Sequence, residues 1–329
     1  MQHDIQKGSF LPKEAWGMII IILITLLSKG LGSLFPLIGS LLFAIIIGVI
    51  LKNTTKLPSS FVPGIQFTLK TLLKVAIVFL GVGLSLYDIL LIGQKGLWVI
   101  FLSVSIGISL TYFVGKWLRI DKRLSLLIGI GTSICGATAI SAVKGIVGAK
   151  ENETAYALST IVFFNLIAFI MYPIIGHLLH MSDLSFGIWA GTAVHDTSSA
   201  IAVGYSYGDE AGEVATTVKL ARTLFLIPVM FCLPFLLRKR NECKSQYSSA
   251  FPWFVFLFLA VSVLHTFGFI PEMIESYLKV SSKFMIIMVM AAVGLQVRIK
   301  DITQLGYKPL LTGLIASITC ALISLFLIL

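Results

Sequence analysis

Apolar stretches long enough to cross a bilayer recur along the chain from Ala15 to Leu329, and nothing else in the sequence narrows the fold as much. A bilayer core offers no water to backbone N–H and C=O groups, so such stretches are expected as helices that satisfy their own hydrogen bonds. Only 12% of the residues are charged, against about 25% in an ordinary soluble domain. Mean hydropathy is +0.98. The chain reads as an all-α polytopic membrane protein of about nine to eleven transmembrane segments, with no length left for a sizeable soluble domain.

The formal net charge of +10 would suggest nucleic acid in a soluble protein. Here the basic residues gather in short loops between apolar segments, as the positive-inside rule describes, and no soluble basic face exists for nucleic acid. The loops at Lys116–Arg123 and Arg238–Lys244 are placed in the cytoplasm. The N-terminal lysines, Lys52 and Lys56 then also lie inside, and an acidic loop of Asp209, Glu210 and Glu213 lies outside. This gives a cytoplasmic tail over 1–14 and one transmembrane domain over 15–329, with the C-terminus outside. The polar residues through Glu14 are not followed by a convincing cleavage site, so no signal peptide is expected. Cys135, Cys232, Cys243 and Cys320 show neither C-x-x-C nor Cys/His metal spacing, so no disulfide framework or zinc site is expected.

Spans are expected over about 15–27, 35–51, 64–86, 96–118, 153–179, 253–270, 284–297 and 310–329, with a long helix reaching Leu237. Two segments, over about 124–147 and 184–205, are unlike the rest. Gly131 to Ala139 reads GTSICGATA, and Gly191 to Ala200 reads GTAVHDTSSA. Glycine weakens a helix, and Ser and Thr offer the backbone competing hydrogen bonds. Irregular backbone at membrane depth survives only where protein buries it or where it lines a water-filled cavity. The two strings are therefore expected as breaks that meet and form a solute site.

The breaks belong to repeats offset by 60 residues: Gly131-Thr132 matches Gly191-Thr192, Thr138 matches Ser198, Gly148 matches Gly208, and Glu153 matches Glu213. A break segment followed by a long helix thus occurs twice. The first repeat is taken as about 64–180 and the second as about 184–329. If both break segments are re-entrant the units are inverted, a common build for secondary transporters. That option also puts Lys144 and Lys150 in the cytoplasm and is favoured over fully spanning, broken helices.

Half-helix N-termini and hydroxyls suit an anion. The expected donors are Thr132, Ser133, Gly136, Thr138, Thr192, Thr197, Ser198 and Ser199. Close packing of small residues is the plain alternative. His195 and Asp196 lie inside the second break, where ionisable groups are expensive. They are candidates for proton coupling, or else caps of a half-helix. Lys219 and Arg222, one turn apart on the following helix, replace Ser159 and Val162 of the first repeat. They are expected to hold the anion, Arg222 in bidentate fashion, unless they snorkel or pair with Glu213. Lys70 and Lys74 are weaker candidates. Asn165 and His265 are read as packing polar residues. Ser133, His195 and Asp196 are the residue types of a hydrolytic triad, but His195 and Asp196 are sequence neighbours. No G-x-S-x-G or H-E-x-x-H occurs, so no enzyme is expected.

LIGIGTSICGATAI (Leu127 to Ile140), AGTAVHDTSSA (Ala190 to Ala200) and VKLARTLFLIP (Val218 to Pro228) resemble the YeiH-type bacterial inner-membrane family, which carries a sulfate-exporter label. The resemblance spans nearly the whole chain. It implies about ten spans and a distant likeness to the cation/proton antiporter and bile-acid symporter group, in which unwound helices form the site and one domain moves against another. The combined expectation is a secondary active transporter of a small anion, sulfate or a sulfur-containing organic acid, working by alternating access. A passive channel or a scaffold is the alternative. No cofactor is expected, with H⁺ and Na⁺ equally open as coupling ion. The expected partners are the lipid bilayer and a small anionic solute, with a homo-oligomer left open.

Overall fold

In the computed structural model, residues 14–35, 39–237, 252–300 and 306–328 are described. The basic residues Arg238, Lys239, Arg240 and Lys244, together with Cys243, Lys7 and Lys13, lie outside them. The described residues are helical throughout, with no strand among them. In chain order the helices are α1 (Ala15–Leu34), α2 (Gly39–Thr54), α3 (Ser59–Gly83), α4 (Leu86–Trp117), α5 (Lys122–Ser133), α6 (Ala137–Val147) and α7 (Glu151–Leu178). Then follow α8 (Asp183–Ala193), α9 (Thr197–Tyr207), α10 (Asp209–Leu224), α11 (Leu226–Leu236), α12 (Trp253–Thr266), α13 (Glu272–Gly294) and α14 (Tyr307–Ile328).

Among the described residues, seven stretches are long and apolar enough to cross a membrane: α1, α3, the Gly96–Trp117 part of α4, α7, the continuous α10–α11 run, α13 and α14. At 16 and 14 residues, α2 and α12 are apolar but shorter than the ~20 that a perpendicular crossing takes. Large apolar side chains such as Leu23, Trp98, Phe113, Ile174 and Phe326 stand exposed along these helices, as lipid-facing residues do.

Two elements depart from the expected bounds. α13 begins at Glu272 rather than near Phe284. Its first half carries charges that pair at the surface: Lys279 with Glu275 at 2.8 Å, Glu275 with His265 at 3.1 Å, and Lys283 with Asp209 at 2.8 Å. Asp209 and Glu210 form the first turn of α10 rather than a loop, where acidic groups complement the helix dipole.

The chain forms two compact units. The smaller holds Met1–Lys74 and Phe284–Val297. Within it Gly17 of α1 packs on Gly64 of α3, and Gly48 of α2 packs on Gly294 of α13, backbone against backbone. Lys70 and Lys74 are exposed there. The larger unit, Val75–Lys283 and Arg298–Leu329, contains both break segments and every residue of the site described below.

Both break segments fold as helical hairpins. In hairpin A, α5 runs to Ser133, residues 134–136 turn, and α6 returns. Its arms touch: a Cβ on Gly131 would lie 2.9 Å from Ile140 Cγ1. Asp121, Lys122 and Arg123 at the start of α5 line the same depression as Val147, the last residue of α6, and Lys150 beyond it, so the segment enters and leaves at one end. In hairpin B, α8 runs to Ala193, residues 194–196 turn, and α9 returns. Its mouth is closed by Phe186 stacked on Tyr207 at 3.9 Å and by Tyr207 Oη donating to Met181 O at 2.6 Å. Gly208 abuts Asp183.

The mouths lie at opposite ends of α7, a helix of 28 residues and about 42 Å. Lys150 precedes it at the mouth of A, and its Gly176 meets Phe186 and Tyr207 at the mouth of B. The α10–α11 run then leads back from Asp209 to Leu237, which lines the depression at A. Helices α6 and α9 have the same bounds at the offset of 60. The two units of break segment and long helix thus run in opposite senses, and the break segments are re-entrant. They differ from the unwound spanning helices implied by the antiporter likeness.

Candidate functional site

The two tips meet near the middle of α7. Asn165 of α7 accepts from the backbone N–H of His195 at 3.1 Å and of Asp196 at 3.3 Å. Ile161, one turn earlier, packs on Gly131. At the tip of A, Gly136 has φ +64, a conformation that suits glycine. A Cβ there would lie 3.0 Å from Asp196 Oδ1 and 3.1 Å from Asp196 Cα, so the N-caps of α6 and α9 are in contact.

A tip-to-tip arrangement brings four helix ends together. The C-terminal ends of α5 and α8 present unpaired carbonyls, and the N-terminal ends of α6 and α9 present unpaired N–H groups. The carbonyls are met by α10. Lys219 Nζ donates to Val194 O and His195 O, each at 2.7 Å. Arg222 Nε donates to Ser133 O at 2.7 Å, and Nη2 donates to Thr132 O at 2.7 Å and to Cys320 Sγ at 3.4 Å. Nη1 donates to Thr192 O and, at 3.5 Å, to Val194 O. Both side chains are fully buried, and neither forms an ion pair with a carboxylate among the described residues.

The N-termini are left differently. At α9, Asp196 is the N-cap, and its carboxylate accepts from Ser198 N at 3.1 Å and from Ser198 Oγ. At α6, Gly136 is the N-cap and no side chain caps the helix. The first intrahelical bond runs from Ile140 N to Gly136 O; of the N–H groups before it, that of Ala139 faces the Cys135 sulfur, which leaves those of Ala137 and Thr138. Ala137 is half-buried and Thr138 exposed. Such N–H groups at the level of the middle of α7 cannot face hydrocarbon without large cost and call for water or a polar solute.

The helix ends count as about +0.5 for each N-terminus and −0.5 for each C-terminus. They cancel in number, and Lys219, Arg222 and Asp196 leave about one positive charge. The site is an electropositive centre.

The structure brings Thr132, Ser133, Gly136, Thr192, His195, Asp196, Thr197, Ser198, Lys219 and Arg222 together, but several do not act as expected. Arg222 spends its five donors on backbone carbonyls and Cys320, so it has none left for a bidentate anion contact. Thr132 Oγ1 donates back to Ile128 O at 2.9 Å. Thr138 points outward. Ser133 Oγ faces Gly107 of α4, and it and Thr192 Oγ1 are buried without a partner. Ser133 does not bond His195, so the three residue types of a triad are not assembled as one. His195 Nδ1 lies 3.2 Å from Thr132 O and Nε2 lies 2.7 Å from Ser317 Oγ of α14. Ser317 Oγ is also 2.7 Å from Gly313 O. Since Thr132 O is an acceptor, Nδ1 is the donor, and the Ser317 hydroxyl can serve either Nε2 or Gly313 O. Asn165, read from sequence as a packing residue, is the anchor of tip B. Only its depth in an apolar helix marked it. Ser317 and Cys320 had no signal beyond being small polar residues in a span.

The family described as "Conserved hypothetical protein 698" matches residues 16–313. A UPF0324 membrane protein of Clostridium tetani is 35% identical over 333 residues, covering 96% of each chain. The chain belongs to the UPF0324 membrane protein family. Other members are 37% identical in Streptococcus pneumoniae, over 96% of this chain and 97% of the relative, and 36% identical in Fusobacterium nucleatum, over 94% and 96%. These alignments span both hairpins, α7 and the α10–α11 run, in agreement with the resemblance carried by the break strings. UPF0324 proteins are bacterial membrane proteins, and the helical polytopic structure is of the kind that membrane transporters share.

Proposed function

We propose that this protein is a secondary active transporter of a small anion, sulfate or a sulfur-containing organic acid, working by alternating access in the bacterial inner membrane. The observation that carries the reading is the tip-to-tip meeting of two inverted hairpins around Lys219 and Arg222, with the uncapped N-terminus of α6 beside them. Paired half-helix ends at a repeat interface are how secondary transporters build a solute site. Lys219 and Arg222 supply the field that favours an anion, and the N–H groups of α6 supply the donors. Arg222 contributes through its charge and by holding both tips, not through a free donor. We place the mouth of hairpin A, with Lys122, Arg123, Lys144 and Lys150, in the cytoplasm and the acidic mouth of hairpin B outside.

The test is flux in proteoliposomes. Radiolabelled sulfate and a panel of sulfur-containing organic acids should show saturable uptake and counterflow. Flux of no anion, or large unitary currents in place of counterflow, would overturn the carrier reading. Asp196→Asn gives the sign of the site. It removes the one negative side chain while leaving an oxygen to cap α9, and should tighten equilibrium binding of sulfate several-fold. Weaker sulfate binding in this variant would contradict an electropositive site.

A further inference from the structure

Broken membrane helices leave carbonyl oxygens at their C-terminal ends, and in secondary transporters such oxygens coordinate the coupling cation. This protein has two such ends facing each other, and their oxygens already face cations. Val194 O and His195 O lie 2.7 Å from the Lys219 ammonium. Thr132 O, Ser133 O and Thr192 O lie on the Arg222 guanidinium. An ammonium held by backbone oxygens at that distance is the tethered counterpart of a bound monovalent cation. A mobile cation at the same oxygens would meet two fixed positive charges within contact range, buried and unpaired with any carboxylate among the described residues. The first repeat has Ser159 and Val162 where the second has Lys219 and Arg222, so it brings no cation of its own. Arg222 reaches across to serve the tip of hairpin A as well.

We infer that Lys219 and Arg222 are resident cations standing where a coupling cation would bind, so that anion movement by this protein is independent of Na⁺. Taking away the Lys219 ammonium then opens a monovalent-cation site at Val194 O and His195 O. The transport half of this statement rests on the anion-transporter reading. The binding half does not.

The binding half is measured by thermal unfolding of the purified full-length protein, titrated with NaCl, KCl or choline chloride at constant ionic strength. The unmutated protein should show the same Tm in all three salts. Lys219→Ala should melt lower in choline and rise saturably with Na⁺ or K⁺. If Lys219→Ala is not recovered in any salt, Lys219→Gln, whose amide keeps a donor at the oxygens, is expected to show a smaller rise of the same kind. The transport half is measured as sulfate flux of the unmutated protein with Na⁺, K⁺ or choline outside, where equal rates are expected. A saturable Na⁺-specific rise in Tm or flux of the unmutated protein overturns the inference. So does a Lys219 variant that responds alike to all three salts. Absence of any anion flux strikes the transporter reading alone, because the melting result stands apart from it.

Discussion

Arg222→Lys separates two roles that a buried arginine can have. As a point charge for an anion, lysine would replace it with modest loss. As a clamp, it would not. The guanidinium reaches Thr132 O and Ser133 O on one tip and Thr192 O and Val194 O on the other. A lysine ammonium sits at a single point and reaches one tip, leaving roughly two buried carbonyls without a donor. Each costs about 1–3 kcal/mol, so the variant should lose about 2–6 kcal/mol of tip stability. Cys135 reads this directly, since it is fully buried in the tip of hairpin A. In a background with Cys232, Cys243 and Cys320 replaced by serine or alanine, the rate at which a thiol reagent modifies Cys135 reports opening of the tips. The low end of the range, about 2 kcal/mol, corresponds to roughly 30-fold faster labelling in Arg222→Lys. Arg222→Met, which removes every donor and the charge, should label faster still. Labelling of Arg222→Lys within a factor of two of the parent would refute the clamp, and the cross-tip hydrogen bonds would then not be what holds the hairpins together.

Asn165→Leu orphans the buried N–H of His195 and the half-buried N–H of Asp196 and should cost about 1–3 kcal/mol or somewhat more, read as a lower Tm, whereas Asn165→Asp keeps the acceptor and should recover most of it. Gly136→Ala places a methyl 3.0 Å from Asp196 Oδ1 at a φ of +64 and should lose about 1–3 kcal/mol of stability, with faster Cys135 labelling as the local readout. Lys122→Cys and Lys150→Cys should react with a membrane-impermeant maleimide from one side of the membrane, and Asp183→Cys and Asp209→Cys from the other. If Lys122→Cys and Lys150→Cys label from opposite faces, hairpin A is a full crossing. Lys283→Met, which breaks an exposed pair with Asp209, should leave Tm unchanged within error.

The breaks were legible because a membrane span has little reason to contain GTSICGATA or GTAVHDTSSA unless the backbone is broken there. The repeat was legible from the offset of 60, which the bounds of α6 and α9 keep, and the placing of Lys144 and Lys150 with the other basic residues favoured re-entrant segments. The bounds of α13 were missed because Glu275, Lys279 and Lys283 lower the apolar character of its first half, although the i,i+4 spacing of Glu275 and Lys279 was a local helical signal. The partners of Lys219 and Arg222 were not legible. A sequence names side-chain donors, but the acceptors here are main-chain oxygens whose positions exist only once two helices have ended against each other.

That last point bears on why the charge sits in the second repeat alone. Two hairpins that meet tip to tip create two carboxyl-terminal ends and two amino-terminal ends at one depth. Were each repeat to supply its own cation from its long helix, α7 would carry a charge at Ser159 or Val162, and a further like charge would be added to the same unit as Lys219 and Arg222. A single helix, α10, serves both tips because Arg222 has five donors in a plane wide enough to bridge them. The other long helix then contributes a neutral acceptor, Asn165, to the N–H groups of tip B. Among the described residues, the N-terminus of α6 is left without a side-chain N-cap, in the repeat whose long helix has Ser159 and Val162 where the other has Lys219 and Arg222. The asymmetry therefore sets fixed cations on the carbonyl side of the tips and leaves open donors on the other, which is the polarity an anion requires.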